Sequence, residues 1–179
     1  MKTMNSEFFL KELFKLKPDL VKLKGAIKAD DETAISLQQQ WYIPLEGVKK
    51  TKLDNPIEDL VTHQLSKVLS ISNLSIDHEL LITPEFKIFG GIFTYGLSLS
   101  IKDERIYLVN LETFEILFEC SETASKFLEL ILIFIDFRAR EWEGYLFSSK
   151  ETNEYISKAT DIAGGTQYYN FVKYLFDYV

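Results

Sequence analysis

Cysteine is almost absent: Cys120 stands alone, so no internal disulfide can form and nothing requires an oxidising compartment. Histidine is nearly as scarce. His63 and His78 lie fifteen residues apart with no second His or Cys at ligand spacing, which excludes an ordinary zinc site. Long apolar runs are missing too. The longest, Leu130 to Ile135, closes at Asp136, whereas a membrane span needs about 20 residues. The N-terminal stretch carries Glu7 and Glu12 and has no small-residue cleavage site, so it does not read as a secretory signal. A soluble, cytoplasmic chain is expected. Gly90-Gly91 and Gly164-Gly165 lack the spacing and lysine of a phosphate-binding loop, and no serine sits in a nucleophile elbow.

Basic excess is also lacking. The 179 residues carry 20 Lys or Arg against 27 Asp or Glu, a net charge of −7. That balance opposes a nucleic-acid binder, which needs a basic face. The charge is uneven: Met1–Lys52 sums to +3 and Leu53–Val179 to −10.

What is present suits one domain with a sizeable core, since 46% of residues are hydrophobic and 14% aromatic. A helical segment is predicted over about 6–24, capped by Ser6 and interrupted at Pro18, with Phe9, Leu10, Leu13 and Phe14 as its apolar stripe. Residues 28–40 are polar with little periodic signal, and Asp30-Asp31-Glu32 reads as a loop. Trp41-Tyr42-Ile43 reads as a short strand. Asn55-Pro56-Ile57-Glu58 starts a helix of about 56–67, with Glu58 reaching back as a capping box.

A β-meander is predicted over about 86–120, with Gly90-Gly91 as a turn or bulge. Leu97-Ser98-Leu99-Ser100-Ile101 alternates strictly, the mark of a half-buried strand. Alternation after the next turn points Phe114, Ile116, Phe118 and Cys120 one way and Glu115 and Glu119 the other. Ser121 then caps a long helix within about 122–146, although its β-branched run would also suit a buried strand. A Ser148/Glu151 capping box opens the last helical region, about 150–178, broken at Gly164-Gly165. The expectation is an α+β fold: an antiparallel, curled β-meander flanked by N-terminal and C-terminal helices.

Two chemical patterns stand out. Asp77 upstream of Glu85-Phe86-Lys87 is the carboxylate and Glu-x-Lys order of magnesium-dependent nucleases, if Glu85 and Lys87 share a strand face. The other is the set of acids on the meander: Asp103, Glu104, Glu112, Glu115 and Glu119, on two turns and one outer strand face. Like charges so close repel unless a basic partner neutralises them. No catalytic, cofactor or metal residue is assigned beyond the nuclease alternative.

The stretch from Phe89 to Arg138 resembles the SUKH superfamily. The residues that carry the likeness are Phe89-Gly90-Gly91, Arg105-Ile106-Tyr107-Leu108-Val109 and Asn110-Leu111-Glu112-Thr113-Phe114-Glu115-Ile116. A serine-started helix, Ser121 to Leu130 with Phe127-Leu128, completes it. Phe114 departs from the family's turn glycine, and the first helix lacks the usual proline-aromatic pattern. The resemblance implies a non-enzymatic binding module: in many bacterial relatives an immunity protein that blocks a toxin, often a nuclease, and in fungal ones a regulatory scaffold. It carries over no site residues. The expected partner is a cognate toxin or another basic protein, met through the five meander acids, without direct contact to nucleic acid or membrane.

Overall fold

The structure is a computed structural model that describes residues 4–40 and 47–178. Helix α1 (Ser6–Lys15) and α2 (Leu20–Ile27) are separate, because Pro18 breaks the segment and Asp19 caps the second helix by accepting from the Lys22 amide. Asn5, not Ser6, caps α1: its Oδ1 accepts from the Phe8 amide at 2.8 Å. Ser6 is instead buried, with its hydroxyl donating to Asp59. The loop expected at residues 30–32 is the start of a helix, α3 (Asp31–Gln40). Its signal is a cap rather than a stripe, Asp30 accepting from the Thr33 amide, and of its apolar side chains Ala34 alone is fully buried. The Trp41–Ile43 strand lies outside the described residues.

Helix α4 (Pro56–Asp59) begins at Asn55 as expected, and the chain continues through one π turn, Leu60–Gln64, short of the predicted end. Asn55 Oδ1 accepts from the Ile57 and Glu58 amides. The Glu58 carboxylate makes no capping box, since it pairs with Lys87 Nζ at 2.5 Å. Asp59 is buried with five neighbours: the Ser6 hydroxyl, the Lys52 and Leu53 amides at 2.8 and 3.0 Å, Gln64 Nε2, and His63 Nδ1 at 3.4 Å. Burial opposes its charge, yet the donors from Ser6, Lys52, Leu53 and Gln64 hold its carboxyl below the ordinary value.

Six antiparallel strands follow in chain order: β1 (Leu69–Ile71), β2 (Leu74–Ile82), β3 (Phe86–Ile92), β4 (Tyr95–Ser100), β5 (Ile106–Asn110) and β6 (Ile116–Ser121). The sheet therefore starts seventeen residues before the predicted block. The alternation of β2 is interrupted where its register with β3 shifts between Ile76 and Leu81, so Asp77-His78-Glu79 hides the strand in the sequence. Gly90 lies in β3 beside another bulge, and a Cβ there would stand 2.1 Å from the Ser75 carbonyl oxygen. Only glycine allows that approach of the two backbones.

Helix α5 (Ala124–Trp142) crosses one face of the sheet, burying Phe127, Ile131, Phe134 and Ile135 among Leu97, Leu99, Ile106 and Leu108. Its run of β-branched residues is helical, not a strand. Thr123 caps it by accepting from the Lys126 amide, because Ser121 is still paired with Ile106 in β6. Helix α6 (Ser149–Ala163) opens with the expected Ser148/Glu151 capping box, and Gly164-Gly165 separates it from α7 (Tyr169–Tyr178). The fold is α+β, an antiparallel sheet flanked by helices from both ends of the chain.

Candidate functional site: the helix-free face of the sheet

Residues directly opposite one another in adjacent strands share a face. One row therefore runs across five strands: Leu81, Ile88, Ser98, Tyr107 and Glu119. Beside it lie Phe86 opposite Ser100, and Gly96 opposite Val109 opposite Ile116. This is the face away from α5. Phe86, Ile88, Tyr107 and Val109 form an apolar cluster of their own, separate from the main core and containing no helix residue.

The middle strand explains this cluster. On this face β4 presents only Gly96, Ser98 and Ser100, and the larger side chains of its neighbours close over them, leaving Ser98 fully buried and Ser100 nearly so. Leu111 folds over Gly96, where a Cβ would stand 2.5 Å from its Cδ2. Phe86 and Tyr107 meet edge-on at 6.2 Å across β4. Beside the β4–β5 turn is a cavity of about 430 Å³ whose lining includes Glu85, Phe86, Ile101, Lys102, Asp103 and Tyr107. Exposed aliphatic side chains surround the cluster: Leu81 (61%), Ile101 (47%) and Ile116 (53%). The four cluster residues are themselves buried, so the apolar surface offered here is that of Leu81, Ile101 and Ile116 around them.

The five meander acids do not form one cluster. Asp103 and Glu104 lie in the β4–β5 turn, and Glu112 and Glu115 lie in the β5–β6 turn at the opposite end of β5. Five residues of strand separate them by about 17 Å. Glu119 lies on the helix-free face beside Tyr107, with Arg105 Nη1 at 3.4 Å. Acid thus stands at both ends of this face. Burial opposes the charge of Asp103, but the Ser100 hydroxyl, the Arg105 amide and the Tyr107 hydroxyl keep its carboxyl below the ordinary value. Burial and the adjoining Asp103 push the Tyr107 phenol up to about 12.

One strand face was misread from alternation. A register shift in the β5–β6 ladder puts Ile116 opposite Val109 on the helix-free face, while Phe118 opposes Leu108 on the helix face and packs on Phe171 and Tyr174. Phe114 belongs to the turn. Cys120 is fully buried, and burial pushes its thiol well above the ordinary range, away from the nucleophilic thiolate.

The nuclease constellation is not assembled as predicted. Glu85 sits in the β2–β3 turn rather than on a strand, and Lys87 faces the helices with its ammonium held by Glu58. Asp77 falls in the irregular stretch of β2. Among the described residues, no three of His, Cys, Asp and Glu lie together as a metal would require. A second cavity, about 530 Å³ between α1, α5 and α6, has a mixed lining in which Leu16, Leu132, Ile133 and Phe147 stand beside polar side chains. There Asp136 accepts from Tyr155 and Arg140, Glu151 from Tyr145 and Ser148, and Glu12 pairs with Lys15.

Four turns of the meander carry a non-glycine residue in the left-handed region: Ser72, Phe93, Glu104 and Phe114, with φ of 53°, 54°, 58° and 58°. The sequence signals this only at Phe114, through the missing turn glycine. Residues held there cost on the order of 1–3 kcal/mol each, and such strain gathers at functional sites. The β4–β5 and β5–β6 loops are built alike. Ser100 and Asn110 each accept two loop amides through their side chains, and the left-handed residue's amide bonds back to their carbonyls.

Fold and site together define an α+β protein with one sheet face packed by helices and the other carrying a small buried apolar cluster of its own, ringed by exposed aliphatic side chains and with acids in the turns at both ends. No family model matches this chain, and neither does any curated protein or any solved structure. Among the described residues no helix is long and apolar enough to cross a membrane.

Proposed function

We propose that this chain is a non-enzymatic protein-binding module of the immunity type, acting in the cytoplasm, that docks and neutralises a basic toxin domain on the open face of its sheet. The observation that carries this reading is the set of exposed aliphatic side chains on the sheet face away from α5. Leu81, Ile101 and Ile116 stand around the buried cluster of Phe86, Ile88, Tyr107 and Val109, with carboxylates in the turns at both ends. An apolar centre with a charged rim is the anatomy of a protein interface. The rim charges complement a basic partner and speed its encounter, in keeping with the net charge of −7. The resemblance of residues 89–138 to the SUKH superfamily supports the same reading. A nuclease toxin is the partner that fits best, because its own substrate site must be cationic.

Co-expression tests it. Production of this chain should restore growth of cells expressing a toxin domain from the same locus, and the two purified proteins should form a complex. If no toxin from that locus is bound or neutralised, the immunity reading fails.

A further inference from the structure

Antiparallel pairing in strict chain order puts the β1–β2, β3–β4 and β5–β6 turns at one end of the sheet and the other two turns at the opposite end. All three turns at the first end hold a left-handed residue that is not glycine: Ser72, Phe93 and Phe114. Two of these are phenylalanine, the kind of bulky side chain for which that conformation is a genuine outlier. Glycine or asparagine would adopt it more readily. Burial does not account for the choice, since Phe93 is 52% exposed and Phe114 40%. Leu111 and Ile116 are exposed beside Phe114. The two hairpins stand two strand spacings apart, about 10 Å, so both rings can engage one surface.

Charge at this end identifies what that surface is. Glu112 and Glu115 flank Phe114 without a cationic partner among the described residues; their polar contacts are with Asn110 and Thr113. Two unpaired carboxylates beside the rings oppose an anionic bilayer and favour a protein surface bearing Lys or Arg.

We propose that Phe93 and Phe114 are twin anchors, held by their left-handed turns so that they enter apolar pockets ringed by basic residues on the partner. This rests on the binding function proposed above and narrows it. The exposed aliphatic side chains of the sheet face supply area, while the two turn-tip rings supply the desolvated contacts that dominate affinity.

The test compares three forms of the full chain against purified toxin domains from the same locus: the wild type, the pair Phe93→Asn/Phe114→Asn, and the pair Phe93→Leu/Phe114→Leu. Asparagine tolerates the left-handed turn and removes the ring, and leucine keeps an apolar tip. The Asn pair should bind at least tenfold more weakly while melting within about 5 °C of the wild type, and the Leu pair should keep affinity within about threefold. Unchanged affinity of the Asn pair overturns the anchor role while leaving the binding function standing. A much lower melting temperature of the Asn pair overturns it as well, by making the rings structural. Sedimentation of the wild type with phosphatidylglycerol vesicles in place of toxin binding would replace the protein partner with a bilayer. A wild type that binds none of these toxin domains refutes the proposed function and the anchors with it.

Discussion

The Tyr107 hydroxyl donates to Asp103 Oδ2 at 3.0 Å, tying an aromatic ring of the buried cluster to a carboxylate in the β4–β5 turn. Asp103 Oδ1 accepts from the Arg105 amide at 3.2 Å, so one aspartate fixes both the turn and the ring beside the cavity. Apolar cluster and acidic turn are thus one unit.

Removing that link by Tyr107→Phe should let the Asp103 carboxyl rise toward its ordinary value of 3.8, because a donor to the ionised form is lost. Carboxyl NMR titration reads this directly. The stability cost should be small, about 0.5–1 kcal/mol, since the bond lies near solvent. An unmoved Asp103 would mean that the hydroxyl does not hold it.

Asp59 joins α1, the loop before α4 and the π turn through a single buried carboxylate. Asp59→Ala strands the Lys52 and Leu53 amides and the Ser6 hydroxyl, and should cost about 3 kcal/mol. Its folded-state pKa lies below the ordinary 3.8. The stabilisation is therefore fully present above that value and is lost as pH falls through it toward the folded-state pKa. Urea titrations from pH 6 down to pH 3 should show the wild type losing stability more steeply than the variant; parallel profiles would remove Asp59 from the account.

Two glycines should respond oppositely to alanine. Gly90→Ala forces a Cβ against the Ser75 carbonyl, a backbone atom that cannot swing aside, and should cost about 3 kcal/mol or more. Gly25→Ala, within α2 and with nothing in reach of its Cβ, should stabilise by about 0.5–1 kcal/mol. Denaturant midpoints at equal slope measure both. A mild Gly90 variant would show that β2 and β3 can part at the bulge.

Local signals were legible where one residue does one job. Asn55-Pro56, the Ser148/Glu151 box and the Gly164-Gly165 break each appear in the structure, whereas the alternation of β4 marked a strand but not a half-buried one: Ser98 and Ser100 are buried under neighbouring side chains. Bulges and long-range partners defeated the rest. Asp77-His78-Glu79 masked β2, one register shift turned Ile116 to the opposite face from Phe118, and Ser6 looked like a cap because Asp59, fifty-three residues away, could not be seen. The acids were found but not their separation, because proximity along the chain hides that β5 divides Glu104 from Glu112. The apolar cluster they flank is not legible in the sequence: its residues lie on β3 and β5, which only pairing through β4 brings together.

The central claim, that the open acid-flanked face docks a basic toxin domain, is tested most directly by stopped-flow association with that domain across 25–400 mM salt, comparing the wild type with Glu112→Lys/Glu115→Lys/Glu119→Lys. Electrostatic steering makes association fast and salt-sensitive. The triple variant should associate at least tenfold more slowly at low salt, with a flattened salt dependence. Identical rates and salt slopes for the two proteins would contradict the claim and move the interface off this face.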